Sequence, residues 1–204
     1  GVLIVVGIGE DGQREILGVW CANTESEASW LEVFRELKER GLTGVSYVVS
    51  DDHAGLTKAI ARHFQGVVWQ RCQVHFMRNV LGLVTKKNQK TVLAQLREIT
   101  GALSLESAQA RLSEAVDLMT KPHPKVADLL DTHGEEMLAV HALPDHHRRR
   151  MKSTNMLERY NEEIRRRTRV IRIFPNEASC IRLVSALAME INEEWMDRKY
   201  LNMM

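Results

Sequence analysis

Residues 48–56 read V-V-S-D-D-H-A-G-L, and residues 69–79 read W-Q-R-C-Q-V-H-F-M-R-N. The first stretch closes an apolar run, Val45–Val49, with two aspartates. That sets a carboxylate at the C-terminal edge of a buried strand, where α/β sheets bind their ligands. Residues 54–64 then have helical spacing, with Leu56, Ile60 and Phe64 on one side. After Gly66 a second short strand, Val67–Arg71, is predicted.

Working towards the N-terminus, residues 26–40 put Trp30, Val33, Phe34 and Leu37 on one helical face, and Gly41 ends the helix. Val2–Ile8 is an unbroken apolar run, which predicts a strand covered on both faces. Glu10-Asp11-Gly12-Gln13 is a hairpin turn, because Asp-Gly tolerates positive φ, and Glu15–Ala22 returns as the second strand. The chain opens on Gly1 and enters this strand at once, so its natural start is expected upstream.

Towards the C-terminus the pattern from Val74 to His141 is almost wholly helical, with breaks at Pro122, Pro124 and Pro144. A helix follows Ser153, then an extended link over Ile171–Pro175, then a last helix from Glu177 towards Tyr200. The prediction is an α/β core, residues 1–76, interrupted by a helical insertion, 77–150, with residues 151–204 returning to the core.

The 204 residues carry a net charge of +1, which hides an uneven distribution. Residues 1–50 hold eight acidic and four basic side chains, whereas residues 145–172 hold four acidic and ten basic. Arg148, Arg149, Arg150, Lys152, Arg159, Arg165, Arg166, Arg167, Arg169 and Arg172 form a basic belt suited to a polyanion, or else a solvated helix surface. Three scattered cysteines exclude a disulfide framework and fit a reduced cytosolic setting. No apolar run approaches the ~20 residues that span a membrane.

Within this belt lies Glu158, a second candidate carboxylate. Two separated carboxylates beside a basic surface suggest metal-dependent chemistry on nucleic-acid phosphates. Duller roles stand beside these. Asp51 or Asp52 suits the N-cap of the helix starting near Ala54. Asn155-x-x-Glu158 has capping-box spacing, although Asn161, Glu162 and Arg165 extend a polar face that a cap does not need. Cys72-x-x-His75 is half a zinc motif with no second pair, so a buried cysteine and a hydrogen-bonded histidine are expected rather than zinc.

Taken together, G-L-T-G-V-S-Y-V-V-S-D-D-H-A-G-L at 41–56, W-Q-R-C-Q-V-H-F-M-R-N-V-L at 69–81 and S-T-N-M-L-E-R-Y-N at 153–161 resemble the Mutator-type transposases of bacterial insertion sequences. G-I-G-E-D-G-Q-R-E-I-L-G-V at 7–19 and I-F-P-N-E-A at 173–178 add to the resemblance, which covers nearly the whole chain.

The resemblance implies a ribonuclease-H-like mixed sheet, with its first strand missing here and a large helical insertion before the last catalytic helix. It implies a DDE triad holding Mg2+ or Mn2+, two ions in the intact enzyme, that cleaves DNA at element ends and joins the freed 3′-hydroxyl to another strand. By position Asp51 matches the second acid and Glu158 the third. Arg165 matches a basic residue suited to gripping DNA, as Arg148, Arg149, Arg150, Lys152, Arg166 and Arg169 are expected to do. Cys72 and His75 match a Cys-x-x-His motif that supports the site.

The family's first aspartate belongs to a strand preceding Val2, and its end-recognition region is also outside this sequence, so the chain alone is expected to be inactive. DNA, both element ends and target, is the implied partner. A homo-oligomer on DNA, no membrane, and a cytoplasmic, nucleoid-associated bacterial setting are also implied. The rivals are a truncated, non-catalytic DNA-binding remnant and a nuclease of the same fold that cuts without joining.

Overall fold

The computed structural model describes residues 1–169, 171 and 174–203. Arg172 and part of the predicted 171–175 link therefore lie outside the described residues. The chain is mixed α/β and mainly helical, and its described strands pair as two separate two-stranded sheets.

Two compact units share the chain. The first comprises residues 1–45, 53–65 and 155–204. In it β1 (Val2–Ile8) pairs antiparallel with β2 (Arg14–Cys21) across the Asp-Gly turn, where Gly12 takes φ +80°. The register shifts between Val5 and Val6, leaving Leu17 as an extra residue in β2. Only Leu3 of β1 is buried, so the expectation of a strand covered on both faces does not hold among the described residues.

Helix α1 (Glu27–Glu39) starts at Ser26, whose side chain accepts from the Ser29 amide, and buries Trp30, Val33, Phe34 and Leu37. It packs on α2 (Ala54–His63), with Phe34 edge-on to Phe64 at 4.9 Å. Gly55 makes this approach possible, since a Cβ there would lie 2.7 Å from the Glu27 nitrogen. Helices α8 (Asn155–Thr168) and α9 (Glu177–Met196) complete the unit. Tyr160 of α8 is buried with Val184, Leu187 and Ala188 of α9 and Ile16 of β2, and its hydroxyl donates to the Val184 carbonyl at 2.7 Å. Asn192 of α9 accepts from the Ile16 amide at 2.8 Å, so a side chain supplies a partner for strand backbone next to the bulge.

The second unit comprises residues 46–52 and 66–154. Strand β3 (Tyr47–Ser50) runs parallel to β4 (Val68–Arg71), the pairing a strand–helix–strand sequence produces. The helices of this unit are α3 (Gln73–Gly82), α4 (Lys86–Thr100), α5 (Leu105–Thr120), α6 (Pro124–His133) and α7 (Asp145–Met151). Pro124 occupies the first turn of α6, where its missing N–H has no cost. Phe76, Leu96, Ile99, Leu112, Leu130 and Met137 are central to one continuous core. Buried polar side chains fasten β4 and α3 to the turns at 134–142. The Gln70 oxygen accepts from the Val140 amide at 2.6 Å, and Gln73 donates to the Met137 carbonyl at 2.9 Å.

Candidate active site

The C-terminal end of the β3–β4 pair is fixed by polar contacts. Buried Ser50 ends β3, its hydroxyl accepting from the Trp69 indole at 2.9 Å and donating to the Asp51 carbonyl at 2.7 Å. The Cys72 amide donates to the Ser50 carbonyl at 2.7 Å. Asp51 follows directly, exposed, and its carboxylate has no hydrogen-bond or ion-pair partner among the described residues.

Asp52 is in a different position. Its Oδ2 lies 2.8 Å from Nη2 of Arg71, whose side chain is only 3% exposed. The other arm of that guanidinium holds Glu136 at 2.8 Å, and Glu136 contacts the His133 ring at 2.9 Å. The guanidinium also covers the Phe76 ring, 4.9 Å from its centroid. Neither aspartate caps α2, because the cap position belongs to His53 and makes no side-chain bond there. Arg71 is the residue sequence reasoning missed. A charged side chain at the end of a predicted strand was the available signal.

Cys72 is fully buried, and its Sγ accepts from the Thr154 amide and hydroxyl at 3.4 and 3.3 Å. The Gln73 amide donates to the Lys152 carbonyl at 3.0 Å, and the Tyr47 hydroxyl donates to the Met151 carbonyl at 3.3 Å. Burial pushes the Tyr47 phenol well above its ordinary range, so it stays a donor. Four hydrogen bonds thus strap residues 151–154 to β3 and to the junction of β4 with α3, immediately before α8 begins. His75 is half-buried one turn into α3. Among the described residues, no group of three or more His, Cys, Asp or Glu side chains gathers as a metal site.

Glu158 lies half-buried in the first turn of α8 and belongs to the first unit, whereas Asp51 belongs to the second. The helix starts at Asn155, so the residue preceding it is Thr154.

The basic belt divides by partner. Arg148 is turned inward: its guanidinium donates to the carbonyls of Leu143, Leu103 and His141 at 2.9, 2.9 and 3.3 Å and meets Asp145 at 2.7 Å. These contacts make Arg148 a clamp on the turns at 141–145 and on Leu103. Arg166 and Arg167 both hold Glu163, at 2.6 and 2.8 Å, and these hydrogen bonds lower its carboxyl to about 2. Arg149, Arg159, Arg165 and Arg169 are exposed and have no partner among the described residues. Arg150 is also exposed, and Lys152 is half-buried. No helix of the described residues is long and apolar enough to cross a membrane.

The family described as "Transposase, Mutator family" matches residues 1–198. The chain is 47% identical over 203 residues to the transposase for insertion sequence element ISRM5 of Rhizobium meliloti, covering 99% of this chain and 51% of that protein. It is likewise 47% identical to the transposase for IS406 of Burkholderia multivorans, over 98% of this chain and 52% of the relative. Identity is 41% to the transposase for IS256 in transposon Tn4001 of Staphylococcus aureus, with the same coverage. The chain therefore spans about half the length of the curated relatives it matches. With a family match over nearly every residue, the chain belongs to the Mutator family of transposases.

Proposed function

We propose that this chain is the catalytic segment of an insertion-sequence transposase, a ribonuclease-H-like core that cleaves DNA at element ends and joins them to a new strand. Asp51 and Glu158 are two of the three acids that the triad calls for. The observation that carries this reading is the unequal treatment of two neighbouring aspartates: Arg71 holds Asp52, while Asp51 is exposed and unpartnered at the strand end.

The segment that precedes α8 is anchored within the second unit. Thr154 is bonded to Cys72, one residue past β4, and β4 pairs with the strand that Asp51 follows. Cys72 and Tyr47 act as positioning residues for this segment, and His75 belongs to the same motif.

Carboxylate oxygens are the donors Mg2+ and Mn2+ prefer, and an exposed Asp51 beside solvent suits an ion that keeps several waters. When bound, such ions supply Lewis-acid stabilisation of the attacking and leaving oxygens. The protein's own part is to present Asp51 without a competing cation and to hold DNA phosphates on Arg149, Arg159, Arg165 and Arg169. DNA ends and target are the partners, and a homo-oligomer is the working form on DNA.

In the full-length protein, Asp51→Asn or Glu158→Gln should abolish strand cleavage and leave DNA binding largely intact. Normal cleavage by either variant removes that residue from the mechanism. Wild-type binding without cleavage would instead favour a DNA-binding remnant, and cleavage without joined product a nuclease. Affinity should fall steeply with salt, and Arg165→Ala should reduce the slope of log K against log[salt] by about 1.

A further inference from the structure

In the first unit β2 and α9 run in opposite directions, held by contacts at matched positions. The Gly12 carbonyl accepts from the Leu201 amide at 3.1 Å, Gln13 donates to the Met196 carbonyl at 3.4 Å, and the Ile16 amide donates to Asn192 at 2.8 Å. Up the strand, Ile16 to Cys21 spans about 17 Å at ~3.3 Å per residue. Down the helix, Asn192 to Cys180 spans about 18 Å at ~1.5 Å per residue. The end of β2 and the first turn of α9 thus bring the two cysteines to the same height. Cys180 packs on the same apolar cluster as Ile16 and Val19 of β2, and Val19 shares its strand face with Cys21, two residues on. Both are free and partly exposed, whereas Cys72 is fully buried.

We propose that Cys21 and Cys180 form a modification site, a dithiol that closes into a disulfide between β2 and α9 when it meets a small-molecule disulfide. One thiolate attacks the small disulfide, forming a mixed disulfide and releasing one small thiolate, which takes up a proton. The second protein thiol loses its proton and attacks the protein sulfur of that bond, releasing the other small thiol. Two cysteine thiols are oxidised, and one small disulfide is reduced to two thiols.

Burial, and then Cys180 and Glu177, push the Cys21 thiol up, so closure accelerates as pH rises. The bond closes a loop that contains most of the chain, which stabilises by restricting the unfolded state. It also anchors the start of α9, the helix whose Val184 carbonyl receives the Tyr160 hydroxyl of α8.

The test incubates the purified chain with oxidised or reduced glutathione, blocks remaining thiols by alkylation, and maps peptides by mass spectrometry. The expected product has lost two hydrogens, contains a linked Cys21–Cys180 peptide, retains alkylatable Cys72 after unfolding, and melts about 5–10 °C higher than the reduced protein. Cys180→Ser should abolish both the linked peptide and the oxidant-induced shift. Glutathione adducts on separate cysteines without a linked peptide, or a linked product whose Tm is unchanged, overturns the proposal.

Discussion

Arg71→Met removes a cation that holds two carboxylates, Asp52 and Glu136, while keeping a side chain of similar reach. The wild-type guanidinium is 3% exposed and bonds Asp52 and Glu136, each at 2.8 Å, with the carboxylates 40% and 28% exposed. Deleting one member of a buried ion pair costs roughly 3–5 kcal/mol, because the partner charge stays desolvated. Here both carboxylates reach water in part, which moves the cost towards the lower end. The Arg71 Nε has no acceptor, so methionine also removes an existing penalty of about 1 kcal/mol. Loss of the guanidinium over Phe76 takes away a comparable amount. The net expectation is a loss of about 3 kcal/mol, or about 6–12 °C in Tm for a chain of this size.

Arg71→Lys, with a point charge instead of a fork, should keep one of the two pairs and fall between wild type and Arg71→Met. Because the chain has two compact units, amide hydrogen exchange is the sharper assay. Protection should drop at the Val140 amide, bonded to Gln70, and at the Cys72 amide, while amides of the β1–β2 pair are unaffected. Unchanged protection and stability in Arg71→Met would refute the reasoning. So would a lysine variant as unstable as the methionine one.

Tyr160→Phe should cost about 1 kcal/mol in urea unfolding, through loss of the buried bond to the Val184 carbonyl. Burial pushes that phenol up to about 12 from 10.0, so its contribution should hold below pH 10 and fade as pH rises towards 12. Acid should act through His63 and His141, both lowered from 6.5 chiefly by burial and then by Lys38 and Arg148 respectively. The unfolded chain takes up these protons near pH 6.5 and the folded chain only at lower pH. Their contribution is therefore complete above pH 6.5 and lost below it. Replacing both with glutamine should flatten the stability profile between pH 6.5 and 5 in thermal melts followed by circular dichroism.

Local order was legible in the sequence because neighbours along the chain decide it. The i, i+3, i+4, i+7 spacing of Trp30, Val33, Phe34 and Leu37 named the buried face of α1, and Asp-Gly named the turn at Gly12. What was hidden depends on partners remote in the chain. Three consecutive arginines read as one belt, yet successive helical residues point about 100° apart. Arg148 consequently turns onto internal carbonyls while Arg149 faces solvent. The same rotation leaves Arg166 and Arg167 on Glu163 and Arg165 without a partner among the described residues.

Asp51 and Asp52 show the principle most sharply. As adjacent identical side chains at a strand end, they differ in nothing a local pattern can register. Arg71 on the neighbouring strand separates them, and Arg71 is itself held by Glu136 from a turn that follows four further helices. Which carboxylate is available for chemistry is therefore a property of the folded helical unit, not of the motif. A substitution at Arg71 should then alter the behaviour of Asp52, freeing it to compete with Asp51 for cations, although position 71 lies outside either aspartate's sequence neighbourhood.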